Sequence, residues 1–327
     1  MEHRIRISET GTADVLRDEP FDLPTPGPGE ALVRHRAIGV NMIDTYHRSG
    51  LYPLPLPAAL GVEAAGVIEK LGPGGAEYEY GLTEGQRVAY VAQVPGAYST
   101  ARLMPAERLV PLPDSISDEV AAATLLKGLT VEALVRRVHP VRFAEPVLLH
   151  AAAGGVGSLA LQWLAEIGAK VIATVGSDEK AEQAKKLGAA HVIVYTRDDF
   201  KTKLRELYPE GVPVVYDSVG KTTFDGSLDC LSPRGILVSY GNASGKPPPF
   251  DLGTLAAKGS LFVTRPTLFS YIRSRSELLE AASALFGMLE RGKLSAHISR
   301  RFPLVQAADA HRALESRQTS GQLLLIP

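Results

Sequence analysis

From about residue 120 onward the chain alternates between two hydrophobic rhythms. Short apolar, β-branched runs stand at residues 146 (PVLLHA), 170 (KVIATV), 191 (HVIVY), 213 (PVVYD), 236 (ILVSY) and 260 (SLFVTR). Stretches of helical spacing separate them. After the first run, Val156, Leu159, Ala160, Trp163, Leu164 and Ile167 recur at i, i+3, i+4, i+7, i+8 and i+11, and Gly168 closes the helix as a left-handed cap. Strands apolar on both sides are buried on both faces, so six such runs between helices predict a doubly wound parallel sheet. Before residue 120 the pattern differs. "LPTPGPGE", "LYPLPLPAALG" and "LGPGG" punctuate short runs such as "ALVRHRAIGV", "AAGVIEKLG" and "RVAYVAQV", which predicts a compact, mostly antiparallel β domain. The acidic stretch at 74–85 reads as a surface turn. A helix is expected over "SDEVAAATLLKGLTVEALVRRV", with Asp118 and Glu119 suited to its first turn. Two more helical patterns, 276–291 and 305–316, precede a closing strand, "QLLLI".

Composition narrows the function. The 327 residues suffice for two domains, and 45% hydrophobic with 22% charged residues is ordinary for a soluble globular protein. A net charge of −1 leaves no basic field for nucleic acid or acidic lipid, and the basic stretch "LVRRVHPVR" reads as a solvated helix end. Cys230 is the single cysteine, which excludes an intramolecular disulfide and a thiolate zinc cluster. The first residues lack the apolar core of a signal peptide, and no run approaches a membrane span; the expected address is a reducing cytoplasm.

Candidate chemistry gathers at "HAAAGGVG", residues 150–157, between the first run and its helix. Gly154, Gly155 and Gly157, with Val156 among them, would let backbone N–H groups approach a pyrophosphate at a helix N-terminus. Ala152 stands where a dinucleotide fingerprint has its first glycine, which requires a turn made at negative φ. The second run ends in Thr174, Val175, Gly176 and Ser177, with Lys180 following, where NAD-binding chains usually carry an acid for the ribose 2′-hydroxyl. An uncharged pocket beside a cation suits a 2′-phosphate, so the expected cofactor is NADPH. Asp178 and Glu179 fall in the first helical turn, where acids are favoured by the helix dipole.

With these pieces placed, the chain resembles the medium-chain dehydrogenase/reductase superfamily, and within it the zinc-free NADPH:quinone oxidoreductase (zeta-crystallin-like) branch. The resemblance spans nearly the whole chain. It rests on "AIGVNMIDTYHRSGLYP" (37–53), "LGVEAAGVIEKLG" (60–72), "LLKGLTVEAL" (125–134), "HAAAGGVG", "YDSVG" (216–220), "VSYGNASG" (238–245), "VTRP" (263–266) and "ESRQTSGQLLL" (315–325). It implies a GroES-like catalytic domain of residues 1–123 and 267–327, and a Rossmann domain of residues 124–266. Zinc-dependent relatives hold their metal with Cys, His and Cys in the first three segments. Here Asn41, Val62 and Lys127 stand there, a set unable to replace those ligands, so no metal is expected.

By the same resemblance, Asn41, Tyr46 and Tyr52 form the catalytic set beside the nicotinamide, with Asp44 nearby. Lys127 and Thr130 approach from the linking helix, and Gly154 to Gly157 hold the pyrophosphate. Gly176, Ser177 and Lys180 bind the 2′-phosphate, and Tyr195 lies against the adenine. Ser218, Tyr240, Gly241, Asn242, Thr264, Arg265, Pro266 and Arg317 complete the cofactor shell. Asp44 also reads as a helix-start residue, Tyr52 as a packed ring and Arg317 as a solvated charge. The implied reaction is reduction of a quinone, an acceptor electron-poor enough to need only modest donors and stacking. Alternatives are reduction of activated C=C bonds in enals or enones, or a non-catalytic NADPH- or RNA-binding or crystallin-like role. A short-chain dehydrogenase is excluded, because the nucleotide motif follows residue 150 and no tyrosine has Lys four positions on. The apolar sixth run, 259–265, would form a sheet edge, which an antiparallel copy of itself would cover in a homodimer.

Overall fold

The structure, a computed structural model, describes residues 2–75, 79–316 and 321–327. The chain divides into two units, residues 1–129 with 272–327, and residues 130–271. The first is built on β-sheets. Strand β1 (Glu2–Ile7) lies between β2 (Arg17–Phe21) and the short β4 (Ala58–Ala59). A larger sheet runs β15 (Ile298–Pro303), β16 (Gln322–Ile326), β3 (Glu30–Val40), β5 (Glu63–Leu71), β6 (Arg87–Val91) and β8 (Val110–Pro111), and β7 (Ala101–Pro105) also pairs with β3. Pairing is antiparallel throughout except between β15 and β16.

Ile5, Ile7, Val33, Ile38, Ile68, Tyr90, Tyr98, Leu323 and Leu325 fill the core of this unit. Each large aliphatic side chain buried there contributes about 1.5–3 kcal/mol. Between His35 and Ala37 the pairing of β3 with β5 shifts register, so the strand bends before Val40. That bend precedes Asn41 and helix α1 (Met42–Ser49). His35 is buried in the same strand. It donates through Nδ1 to the Ser99 carbonyl at 2.7 Å and accepts the Tyr90 hydroxyl at 2.8 Å, and burial lowers its pKa to about 4, so the ring is neutral.

Helix α2 (Asp118–Glu132) contains the boundary between the units and continues into a π-helical stretch, Ala133–Val138. The second unit then proceeds as β9 (Pro146–Leu149), α3 (Gly155–Ile167), β10 (Lys170–Val175), α4 (Asp178–Lys186), β11 (His191–Val194), α5 (Phe200–Leu207), β12 (Val212–Asp217), α6 (Phe224–Asp229), β13 (Leu231–Ser239), α7 (Gly253–Ala257) and β14 (Phe262–Thr264). Its six strands are all parallel, in the order β11-β10-β9-β12-β13-β14. This is the doubly wound sheet expected from the six apolar runs. The order reverses between β9 and β12, which opens a crevice at the carboxyl ends of the strands, where ligands of such sheets bind.

The sixth strand is shorter than its apolar run. Gly259 at φ 107° and Ser260 at φ 58° carry the chain out of α7 in left-handed conformations, so pairing begins only at Phe262. The last helices, α8 (Arg275–Glu290) and α9 (Ala307–Glu315), belong to the first unit. A Ser274–Glu277 capping box fixes the start of α8.

Candidate active site

The glycine turn follows β9 directly. Gly154 caps α3 at φ −76° with no side-chain acceptor on the helix N-terminus. Gly154 is exposed and Gly155 and Val156 are half-buried, so solvent reaches the start of the helix. Gly157 has a different reason. A Cβ there would stand 2.3 Å from the Ala151 carbonyl oxygen, so glycine lets the helix pack on the turn rather than exposing an N–H to ligand. Ala152 takes negative φ as expected, but the turn is made one residue earlier, by Ala151 at φ 52°. That conformation costs an L-residue roughly 1–2 kcal/mol. The Gly154 N–H donates to Ala151 O at 2.9 Å, which holds the turn in place.

A buried polar network lies under the turn. Ser227 Oγ donates to Asp217 Oδ2 at 3.0 Å, so it accepts from His150 Nε2 at 3.1 Å, and Thr174 Oγ1 faces His150 Nδ1 at 2.9 Å. Burial lowers the His150 pKa, and the ring is a satisfied interior group, as its sequence context suggests. Asp217 also accepts the N–H groups of Val219 at 2.7 Å and Gly220 at 3.0 Å, which fixes the loop bearing Ser218. Gly241 packs on that loop, since a Cβ there would meet Ser218 O at 2.4 Å. Arg265 spans from β14 to Gly241 O at 2.9 Å and Ser239 Oγ at 3.2 Å. Ser218, Tyr240, Gly241, Asn242, Thr264, Arg265 and Pro266 thus gather at the carboxyl ends of β12, β13 and β14. Burial pushes the Tyr240 hydroxyl well above its usual range.

At the end of β10, Gly176 lies under Tyr195. A Cβ on Gly176 would be 2.7 Å from the Tyr195 hydroxyl oxygen, and the half-exposed ring rises beside it. Ser177 caps α4 by accepting the Lys180 N–H at 3.3 Å. The sequence reading missed Arg197, whose guanidinium pairs with Asp178 at 3.1 Å. Asp178, in the first turn of α4, is therefore balanced by a cation two residues beyond Tyr195.

The other cluster is in the first unit. Glu63, completely buried at the start of β5, accepts Asn41 Nδ2 at 2.7 Å, Lys127 Nζ at 3.1 Å and the Leu126 N–H at 2.7 Å. Val62 is buried and apolar. No group of three or more His, Cys, Asp or Glu able to hold a metal occurs among the described residues. Glu63 went unremarked in the sequence, although one acid inside the apolar run "LGVEAAGV" signals a carboxylate that needs buried partners. Tyr46 on α1 and Tyr52, three residues past its end, are half-buried and meet edge to face with ring centroids 5.2 Å apart.

Asp44 takes the helix-start role that the sequence also offered it. It is fully buried, with Oδ2 accepting the Asn41 N–H at 2.8 Å and the Tyr98 hydroxyl at 3.1 Å. It is the helix-start residue, because its short side chain reaches back to the free N–H before α1. Beyond Tyr98 the network continues through His311 at 3.0 Å to Arg48, which clamps Glu315 at 2.6 and 2.9 Å. Thr130 lies one turn after Lys127 on α2, and Arg317 is outside the described residues.

A six-stranded sheet of this order joined to an antiparallel β unit defines the architecture of the medium-chain dehydrogenases/reductases. Residues 27–114 match the alcohol dehydrogenase GroES-like domain, and residues 155–286 match the zinc-binding dehydrogenase domain. A quinone oxidoreductase of Pseudomonas aeruginosa is 47% identical over the full length of both chains. A 2-haloacrylate reductase of a Burkholderia species is 44% identical over 98% of both. The structure of Escherichia coli quinone oxidoreductase complexed with NADPH superposes with a TM-score of 0.96 at 46% identity, covering 99% of this chain and all of that one. The chain belongs to the quinone oxidoreductase family of the medium-chain dehydrogenases/reductases.

Proposed function

We propose that the protein is an NADPH:quinone oxidoreductase that works without zinc. The observation that carries this reading is a Glu63–Asn41–Lys127 cluster at the family's metal position, in a chain whose phosphate turn is intact. The residues suit the cofactor. Gly154 to Val156 stand at a solvent-reached helix N-terminus, whose dipole favours the pyrophosphate. Ser177 and Lys180, with Arg197 balancing Asp178, suit the 2′-phosphate, and Tyr195 the adenine. Bound NADPH supplies a hydride, so that NADPH, a quinone and a proton give NADP+ and a hydroquinone. Tyr46 and Tyr52 give a flat acceptor an apolar wall, and Asn41 brings a polar group to its oxygens, with Lys127 and Thr130 on the cofactor side. Ser218, Tyr240, Gly241 and Asn242, with Thr264, Arg265 and Pro266, complete the cofactor shell.

Purified protein should oxidise NADPH only when an acceptor is added. Activity should survive prolonged chelation, and elemental analysis should find well under one zinc per chain. Loss of activity together with stoichiometric zinc would refute the metal-free reading. The 44% identity to a 2-haloacrylate reductase supports a second reading, reduction of an activated C=C bond. A panel of quinones, enones and haloacrylates ranked by kcat/KM separates the two. The protein works as a homodimer in the cytoplasm, with the 259–265 edge paired to its own copy. In support, β14 pairs only with β13 among the described residues, Phe262 is 60% exposed, and the single cysteine is buried.

A further inference from the structure

Three donors from two segments of the chain converge on Glu63. Its Oε1 accepts from both Asn41 and Lys127, and its Oε2 from the backbone of Leu126. The strand next to it is shaped to admit it: a Cβ on Gly39 would stand 2.2 Å from Glu63 Oε1 and 2.3 Å from the Ala122 carbonyl. Burying a carboxylate so completely is costly unless every lone pair is answered, and removing one partner of such a pair is costlier still. The arrangement fixes both neighbours. Asn41 commits its amide nitrogen to Glu63 and, at 3.4 Å, to the Gly39 carbonyl. Lys127 commits one N–H, and its other two have no protein acceptor among the described residues.

We propose that Glu63 is a positioning residue that aims the Lys127 ammonium at the acceptor oxygen that gains negative charge. The inference rests on the quinone reductase reading. It moves Lys127 from the cofactor shell, where family resemblance sets it, to the acceptor. Hydride transfer delivers two electrons and a hydrogen nucleus from NADPH, leaving NADP+ and a hydroquinone monoanion. Lys127 keeps its proton and donates a hydrogen bond to that anion, and a proton from solvent completes the hydroquinone. A fixed ammonium with two uncommitted N–H groups does part of the work of a metal, and Glu63 holds it without turning its charge away.

The test compares wild type, Glu63→Gln, Lys127→Met and the double variant in NADPH oxidation by 1,4-benzoquinone. Each single variant should lower kcat by at least about tenfold, as loss of one charge-stabilising donor does. NADPH affinity of Glu63→Gln, read by fluorescence titration, should move far less. The double variant should be no slower than Lys127→Met, because Glu63 acts through a group already removed. A second readout is independent of turnover: 4-nitrophenol added to protein with NADP+ should bind as the yellow phenolate in wild type, and neither single variant should stabilise that form. Folded Glu63→Gln with wild-type kcat, losses that multiply in the double variant, or unchanged phenolate binding would each overturn the proposal. If Glu63→Gln does not fold, Lys127→Met carries the decision, and wild-type kcat there sinks the idea. A wild-type protein inactive with every quinone would instead defeat the functional reading, while phenolate binding would still report on Glu63 and Lys127.

Discussion

Replacing Asp44 with asparagine should reverse its effect on stability between acid and neutral pH. Asp44 is fully buried; Oδ2 has two donors, and Oδ1 has no partner. Burial raises its carboxyl from 3.8 to about 7, opposed by the bonds from Asn41 and Tyr98 and by Lys127, and reinforced by the charge on Glu63. The unfolded chain releases this proton near 3.8, whereas the folded chain keeps it to about 7. Across that window the unfolded state binds fewer protons, so the contribution is fully present below 3.8 and is lost as pH rises through 7. The interval corresponds to roughly 4 kcal/mol, at about 1.4 kcal/mol per pH unit. The Asp44→Asn side chain keeps one oxygen acceptor and does not titrate, but it places an amide N–H where Oδ1 has no partner, at a cost of about 1–3 kcal/mol. The variant should therefore be less stable than wild type at pH 4 and more stable at pH 8. Urea unfolding followed by circular dichroism at several pH values measures the difference. A constant offset from pH 4 to 8 would refute the reasoning.

Lys180→Ala should weaken NADPH binding by about ten- to a hundredfold while leaving NADH almost unchanged, the loss of one charge-assisted phosphate contact. Calorimetry with both cofactors checks this, and equal losses would remove Lys180 from the 2′-phosphate site. Gly157→Ala should destabilise the fold by about 1–3 kcal/mol and weaken NADPH binding, because its methyl group must displace the turn backbone. Thermal unfolding and titration read both effects, and wild-type values in both would show that the turn yields without strain. Phe262→Lys should leave NADPH binding intact and give monomers or precipitate in light scattering, against twice 34.9 kDa for wild type. A wild-type monomer at micromolar concentration would exclude the edge-paired dimer.

The sequence by itself determined the parallel sheet, the glycine turn and the uncharged end of β10. Each depends on residues close along the chain: six apolar runs at regular intervals, a helix stripe from Val156 to Ile167, and Lys180 four residues after Gly176. Tertiary structure decided what depends on register and on partners far along the chain. Ala151 rather than Ala152 makes the left-handed turn, because Gly157 presses α3 onto the Ala151 carbonyl, a contact invisible in a run of small residues. Asp44 goes inward because Tyr98, on a distant loop, supplies its second donor. The partnership of Glu63 with Asn41 and Lys127 joins positions up to 64 residues apart. It forms only when β3 and β5 pair in a register that places Gly39 beside the carboxylate. An isolated acid in an apolar strand announces that it needs a partner, but periodicity carries no distances between segments, so only the folded chain names that partner.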